Sequence, residues 1–450
     1  MKLEKIEGSE NYCVTVVKLP PKQKVEGLDK LCKVTVFGND VLTKKDANEE
    51  QLYLFFPAEC QISSSFLFSN NEFRNTLLNK DQTQKGYFED SGRVKAIKFK
   101  GVISTGYLTP LNTLLPLVDI KGFKVGDEFN TINGHVFCKK YKIVHQHVTA
   151  GQQKESKFNK KLKRFSKLVP NQFRFHVSTS HLAKNLHMFQ PEDIICITDK
   201  WHGTSGVFSN VLINKQLTWK EKFAKWLGIE VVQSKYDNLY SSRTVVKNQY
   251  INTDVTPGFY GEDIWAIVNK ELDGKIEQGI TLYGEIVGYL PSGKVIQKGY
   301  DYGCKDGEHK FLVYRITYTK PDGNVIEFSW QQIKDYSKKY SIETVKELYF
   351  GVLDPTFYKE IGLPLLGEPN TLREELQTHW FNSLCETYLE KDCNHCINKV
   401  PAEGIVVRRD GLDHFAAYKL KAKRFLERET KQLDEEAKTG EVNIEDESSH

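Results

Sequence analysis

Asp199-Lys-Trp-His-Gly-Thr-Ser205 is the stretch on which the reading of this chain turns. It follows directly on the apolar run Ile194–Thr198, which has the length and β-branched content of a buried strand. A lysine at the end of such a strand, followed by a glycine that lets a ligand approach the backbone, is a candidate covalent nucleophile. An ordinary lysine titrates near ~10.4. Attack at neutral pH therefore asks for a shift of about 3 units, roughly 4 kcal/mol, which nearby cations and a divalent metal can supply. K-x-x-G alone is frequent by chance in surface turns, and three further segments give this one its meaning.

Eighty-five residues after Lys200 comes Thr281-Leu-Tyr-Gly-Glu-Ile286, an apolar strand with a single acid, Glu285. A further 118 residues on, Ala402-Glu-Gly-Ile-Val-Val-Arg408 again sets one acid, Glu403, at the head of a buried strand. Sixteen residues later, Ala417-Tyr-Lys-Leu-Lys421 places Lys419 and Lys421 on one face by the two-residue alternation of a strand. Two carboxylates and three lysines on separate strands meet the needs of nucleotidyl transfer to an enzyme lysine. The acids can hold metal or ribose hydroxyls, and the lysines can neutralise phosphates. No G-x-x-x-x-G-K-[ST] loop is present to cradle a nucleotide as a P-loop does.

A length of 450 residues predicts two domains or three. Residues 1–145 are expected to be β-rich. Tyr12–Leu19, Leu31–Phe37, Gln51–Phe56, Arg93–Gly101 and His135–Ile143 are short, rich in Val, Ile, Phe and Tyr, and separated by Gly, Asp and Asn turns. Five short strands with long connections suit a small barrel, of which the OB-fold is the common nucleic-acid-binding version. In Arg93-Val-Lys-Ala-Ile-Lys-Phe-Lys100 a β-bulge near Ile97 would return Arg93, Lys95, Lys98 and Lys100 to one face, a grip for a nucleic-acid backbone. Lysines guarding a sheet edge are the plainer alternative.

Residues 146–185 read as a connector, with seven Lys/Arg against one Glu between Lys154 and Lys167, and Phe158, Leu162, Phe165 and Leu168 at helical spacing. Beyond it the pattern is mixed α/β. Thr218-Trp-Lys-Glu221 is a capping box, opening a helix whose apolar stripe, Trp219, Phe223, Trp226 and Leu227, is expected to face the core. Thr371-Leu-Arg-Glu374 opens a second helix, through Leu389. Residues 427–450, with nine acids against three bases, are expected to form a frayed, disordered tail.

Taken together, Lys200-x-His202-Gly203, Tyr-Gly-Glu285, Glu403-Gly-Ile-Val-Val-Arg and Lys419-x-Lys421 resemble motifs I, III, IV and V of the covalent nucleotidyltransferases, the polynucleotide ligases and capping enzymes. His202 in place of the commoner Asp, followed by Gly203-Thr204, is similar to nick-sealing RNA ligases of the phage type. Gly86-Tyr-Phe-Glu-Asp90, Gly92-Arg-Val-Lys-Ala-Ile-Lys98 and Gly101-Val-Ile-Ser-Thr-Gly106-Tyr-Leu108 resemble the RNA ligases typified by Naegleria and Deinococcus, in which an OB domain precedes the ligase domain.

The resemblance implies an α+β protein. An OB-like β-barrel (1–145) and the basic connector (146–185) would precede a nucleotidyltransferase domain (186–426), an ATP-grasp-like adenylation unit of antiparallel sheets with flanking helices, and then the acidic tail (427–450). It implies that Lys200 attacks the α-phosphorus of ATP to give lysyl-AMP, with His202 and Gly203 in the nucleotide pocket. Glu285 would hold ribose or metal, Glu403 would organise a divalent metal (Mg or Mn) through water, and Lys419 and Lys421 would take the AMP phosphate. Arg243, in Ser241-Ser-Arg-Thr-Val245, matches the arginine that handles phosphate on the nucleic-acid end. Phe311 and Tyr314 fall where an aromatic packs on adenine, and alternation places them on opposite faces. Two departures stand out: Ser205 where phage enzymes often have Asn, and a long interval before Glu403 that points to a family-specific insertion over about 331–395.

The implied reaction is ATP-dependent joining of 3′-hydroxyl and 5′-phosphate RNA ends, at nicks in duplexes. An mRNA-capping guanylyltransferase is the alternative within enzymes, although there the OB domain usually follows the transferase domain. A nucleic-acid-binding protein that keeps the fold without the reaction is the alternative outside them.

Composition agrees with a globular class: 39% hydrophobic residues, 27% charged and a mean hydropathy of -0.49 argue against wholesale disorder. Apolar runs such as Leu348–Leu353 fall far short of the ~20 residues that cross a bilayer. Met1–Lys5 has no secretory pattern, so a soluble, intracellular protein with no membrane or obligate protein partner is expected. Of nine cysteines, only Cys393 and Cys396 form C-x-x-C, with His395 between them. No second pair completes a four-ligand zinc site, and free thiols in a reducing compartment are expected.

Overall fold

The computed structural model describes residues 1–143, 168–215, 217–243, 246–247, 262–353 and 370–439. The basic run Lys154–Lys167, with Phe158, Leu162 and Phe165, lies outside them, as do residues 440–450.

Two sheets form the larger part of the chain. The first runs in the order Ser180–His181, Ala416–Lys421, Gly404–Arg409, Ile194–Lys200, Glu347–Val352. Its pairs are antiparallel except the first. Alternation buries Ile195, Ile197, Ile405, Val407 and Leu420 on one face, against Trp380, Phe381 and Leu384 of the helix Asn370–Tyr388. The other face is left to Lys200, Lys419 and Lys421. The strand Glu347–Val352 falls in the interval expected to be an insertion, yet it pairs directly with the Lys200 strand.

The second sheet runs Val246–Lys247, Ser234–Ser241, Thr204–Asn214, Ile280–Gly288, His309–Thr319, Val325–Glu327, with Glu343–Thr344 beside His309–Thr319. Phe208, Leu282, Ile286 and Ile316 pack against Trp265, Trp330 and Ile333 from the helices Ile264–Glu271 and Trp330–Tyr340. Burying side chains of this size contributes about 1.5–3 kcal/mol each. Val207, Val211, Leu239 and Tyr283 form a smaller core on the opposite side with Phe173.

The N-terminal residues fold into short antiparallel strands. Glu128–Phe129, Val14–Lys18, Leu52–Pro57 and Gly106–Pro110 make one sheet, and Leu31–Val36 with Asn39–Lys44, Cys60–Ile62 with Cys138–Lys140, and Ile97–Phe99 with Val102–Ser104 make separate pairs. The central strands are buried on both faces, with Val14, Val16, Leu54 and Phe56 in one core and Val17, Tyr53 and Phe55 in another.

Three expectations need correction. Arg93–Gly101 is not one bulged strand: Arg93 makes an isolated antiparallel bridge to Gln61, only Ile97–Phe99 forms a strand, and Arg93 points inward, its side chain 1% exposed. Residues 427–439 of the expected disordered tail are helical, within a helix spanning Lys423–Thr439. Its acids have partners that composition cannot show: Asp434 meets Arg93 and Lys95, each at 3.0 Å, and Glu427 pairs with Lys431 one turn on. Finally, the stripe Trp219, Phe223, Trp226 and Leu227 faces solvent rather than core.

Candidate active site

Strand register assembles the lysines. Lys200 pairs with Gly404, and Gly404 with Lys421, so the three residues form one row across three strands. Two residues along, the next row on the same face holds Thr198, Val406, Lys419 and His181. Gly404 has φ +145°, and a Cβ there would lie 2.0 Å from the Leu420 carbonyl oxygen, so only glycine allows this close row. Glu403, just ahead of it, is 3% exposed. Its Oε1 lies 2.8 Å from Lys200 Nζ and 3.5 Å from Lys421 Nζ. Lys421 also meets Glu429, at 3.0 Å.

These neighbours set the charges. Burial pushes the Glu403 carboxyl up, but Lys200, Lys421 and His202 outweigh it and hold the group below the usual carboxylate range. Lys419 is drawn down to about 7 by burial first, then by Lys421, Lys200 and Arg243. Lys421 moves up: burial opposes its charge, but Glu429 and Glu403 together prevail. The two lysines share one strand face and one sequence motif, yet they titrate in opposite directions because only Lys421 touches acids.

The second sheet supplies Glu285. Its Oε1 accepts a hydrogen bond from the Gly203 N–H at 3.1 Å and its Oε2 one from the Ser205 hydroxyl at 3.4 Å. A Cβ on Gly203 would fall 2.2 Å from the Ile286 carbonyl oxygen, so the turn after Lys200 lies flat on the Glu285 strand. His202 is fixed through its backbone: its N–H donates to the Tyr302 hydroxyl at 2.7 Å, and its ring stands edge-on to Tyr300 and Phe425.

Phe311 and Tyr314 part company, as alternation expects, although a bulge interrupts the strand between them. Pairing steps from Tyr283–Arg315 to Gly284–Val313, leaving Tyr314 as the extra residue of a bulge. Phe311 packs edge-on to Phe208, 4.8 Å between centroids, and over Gly284, where a Cβ would come within 2.4 Å of its ring. The Tyr314 hydroxyl pairs with His176 Nδ1 at 2.7 Å. Sequence reasoning did not find His176, which lies in the connector with no motif around it. Burial, then Arg243, Lys419, Arg315 and Lys200, depress its imidazole to about 3, keeping it neutral. Arg243 donates to the Ser178 hydroxyl at 2.7 Å.

The four N-terminal bases do not act alike. Arg93 forms a two-pronged pair with Glu59, Nε to Oε2 at 2.6 Å and Nη2 to Oε1 at 2.8 Å, and Lys95 is held by Glu89 and Asp434. Lys98 and Lys100 are exposed. The expected row of four on one face is therefore two structural cations and two surface ones.

The donor set fits a divalent ion held through water. Glu403 Oε2 is buried without a hydrogen-bond partner, and His202 Nδ1 lies 3.9 Å away. Among the described residues no three His, Cys, Asp or Glu side chains gather as a cage. A lone carboxylate beside a phosphate site is the arrangement Mg²⁺ tolerates, since it keeps several waters. Cys393 and Cys396 are free thiols. His395 between them stacks on Trp201 at 4.4 Å and meets Asp199 Oδ2 at 2.8 Å. No helix among the described residues is long and apolar enough to cross a membrane.

A lysine row on one sheet and a carboxylate brought in by a second sheet through a tight glycine turn form an arrangement suited to nucleotide phosphates. The RNA ligase family model matches residues 193–423, more than half the chain, and the chain belongs to that family. It is similar in fold to Naegleria gruberi RNA ligase in several solved forms. A mutant with AMP and Mn has a TM-score of 0.52 at 13% identity, covering 92% of this chain and 98% of that one. A second mutant, with ATP and Mn, has a TM-score of 0.52 at 14% identity, covering 93% and 99%. The enzyme with PPi has 0.53 at 12%, covering 93% and 98%. No curated protein sequence matches the chain.

Proposed function

We propose that this protein is an ATP-dependent RNA ligase that seals 3′-hydroxyl to 5′-phosphate ends, at nicks in duplexes, with Lys200 as its nucleophile. The observation that carries this is the Lys200–Gly404–Lys421 row closed over buried Glu403, a site with one attacking nitrogen and cations for phosphate. The Naegleria enzyme has been captured with ATP, PPi and AMP, the substrate and the two leaving groups of such a cycle.

In the first step Lys200 Nζ, relieved of its proton, attacks the α-phosphorus of ATP. An N–P bond forms, the bond to pyrophosphate breaks, and lysyl-AMP remains. Lys419 and Lys421 take the charge that grows on the α-phosphate. A divalent metal, Mg or Mn, held through water by Glu403 and approached by Glu285, would polarise the phosphoryl oxygens. In the second step a 5′-phosphate oxygen displaces Lys200, moving AMP to the RNA end, with Arg243 on that phosphate. In the third the 3′-hydroxyl attacks the 5′-phosphorus and AMP leaves. Glu285, tethered to Gly203 and Ser205, is proposed to hold the ribose, and Tyr314, rather than core-packed Phe311, to meet adenine. The N-terminal module is proposed to be OB-like and to carry the duplex, with Lys98 and Lys100 facing phosphate.

Labelling with α-³²P-ATP and α-³²P-GTP tests the reading. ATP-derived label on the wild type, lost in Lys200→Ala, is expected. Label from GTP alone points to a guanylyltransferase, and no label from either to a fold without the reaction.

A further inference from the structure

The helix Trp219–Trp226 wears its apolar side outward. It sits in the connection between Thr204–Asn214 and Ser234–Ser241, at the closed end of a hairpin whose open end, where Val207 pairs with Ser241, carries Ser205 and Arg243. At 100° per residue Trp219, Phe223, Trp226 and Leu227 share one stripe. They are 74%, 54%, 77% and 55% exposed, and no residue of the helix is buried. Phe223 and Trp226 stack at 5.6 Å with their planes 27° apart.

The helix does not need a core to hold its shape. Thr218 and Glu221 close a full capping box, and Lys215 also pairs with Glu221, so the one acid of the helix is occupied. On either flank of the aromatic stripe stand exposed Lys220 and Lys222, the former 5.9 Å from the Trp219 ring centroid. Aromatic faces for bases, bordered by cations for phosphates, are the two components of single-strand recognition. A second copy of this helix, or the basic run Lys154–Lys167, would set lysine against lysine.

Resting on the RNA ligase reading above, we propose that this helix is a stacking platform for unpaired nucleotides of the RNA substrate, lying apart from the lysine row. Base stacking on Trp219 and Trp226 supplies affinity without sequence preference, and Lys220 and Lys222 follow the backbone. The hairpin that carries the platform also leads to Arg243, so a strand stacked there is led toward the phosphate-handling end of the site.

The test is binding of a fluorescent single-stranded oligoadenylate to the full chain, by anisotropy. Trp219→Ala/Trp226→Ala should weaken binding about 10-fold or more, with an unchanged thermal melt. Lys220→Glu/Lys222→Glu should flatten the dependence of log affinity on log salt by about 1.4 units, at ~0.7 per phosphate contact. Ultraviolet crosslinking of wild-type protein to the same RNA should place the adduct on the peptide holding Trp219 or Trp226, a readout that needs no variant. Oligoadenylate binding unchanged in both variants, or crosslinks only elsewhere, overturns the proposal. So does loss in the tryptophan variant of self-association, or of binding to phosphatidylserine vesicles, while RNA affinity stays the same. Adenylate labelling of the wild type is scored separately, so failure of the ligase reading and failure of the platform are told apart.

Discussion

Glu403 serves Lys200 and Lys421 with the same oxygen, Oε1, at 2.8 and 3.5 Å, and leaves Oε2 buried without a hydrogen bond, 3.9 Å from His202 Nδ1. Glu403→Gln keeps the shape but removes the charge, so Lys200 loses its 2.8 Å carboxylate, Lys421 is left with Glu429, and the metal site proposed above loses its anion. Lysyl-AMP formation should fall on the order of 100-fold, and its response to added Mn²⁺ should flatten. A variant with wild-type labelling at every metal concentration would remove Glu403 from the nucleotide step.

Arg243 reaches Ser178, on the connector, and approaches Lys419 only electrostatically. Arg243→Ala should still form lysyl-AMP while sealing nicks poorly. Single-turnover assays starting from preformed lysyl-AMP separate the two, and equal loss of both would place Arg243 in the nucleotide pocket.

Lys419 carries a pH signature. Its folded value of about 7 lies below the ordinary ~10.4, so between those limits the unfolded chain holds a proton that the folded one lacks. That group's contribution to stability therefore rises with pH across the window. Lys419→Met should remove the rise and stabilise the protein near pH 7 relative to wild type. Urea midpoints between pH 7 and 10 decide it, and parallel profiles for the two proteins contradict the assignment.

The N-terminal bases divide by function. Arg93→Ala strands Glu59 in the interior and should cost about 3–5 kcal/mol. Lys98→Ala/Lys100→Ala should leave the melt unchanged and lower the salt slope of nicked-duplex binding by about 1.8 units. An unchanged slope would return those lysines to guarding a sheet edge.

Much of the site was legible because strand alternation is rigid: Lys419 and Lys421 had to share a face, and an acid at a strand head had to sit beside the neighbouring row. What was hidden depended on partners far away in the chain. The bulge at Tyr314 is announced by nothing local, and neither is the His176 contact that its hydroxyl makes. Arg93 read as a nucleic-acid contact because its partners, Glu59 and Asp434, stand 34 and 341 residues away. His176 enters through its hydrogen bond with the Tyr314 hydroxyl, a partner 138 residues away. The Trp219 helix shows the limit of periodicity, which identifies an apolar stripe without saying whether core or solvent meets it.

The helix Lys423–Thr439 follows the Lys421 strand and ends on the N-terminal module. Thr430 accepts from the Ala96 N–H at 3.0 Å and donates to Glu59 at 2.7 Å, while Asp434 closes on Arg93. During synthesis these residues leave the ribosome after nearly everything they touch. The N-terminal module must therefore wait, with one side of its buried arginine pair open, until the catalytic strands have been made. A nascent chain stalled before residue 423 would hold Lys200, Lys419 and Lys421 and still lack its clasp, so co-translational folding of the first 143 residues should complete only once residues 423–439 have emerged.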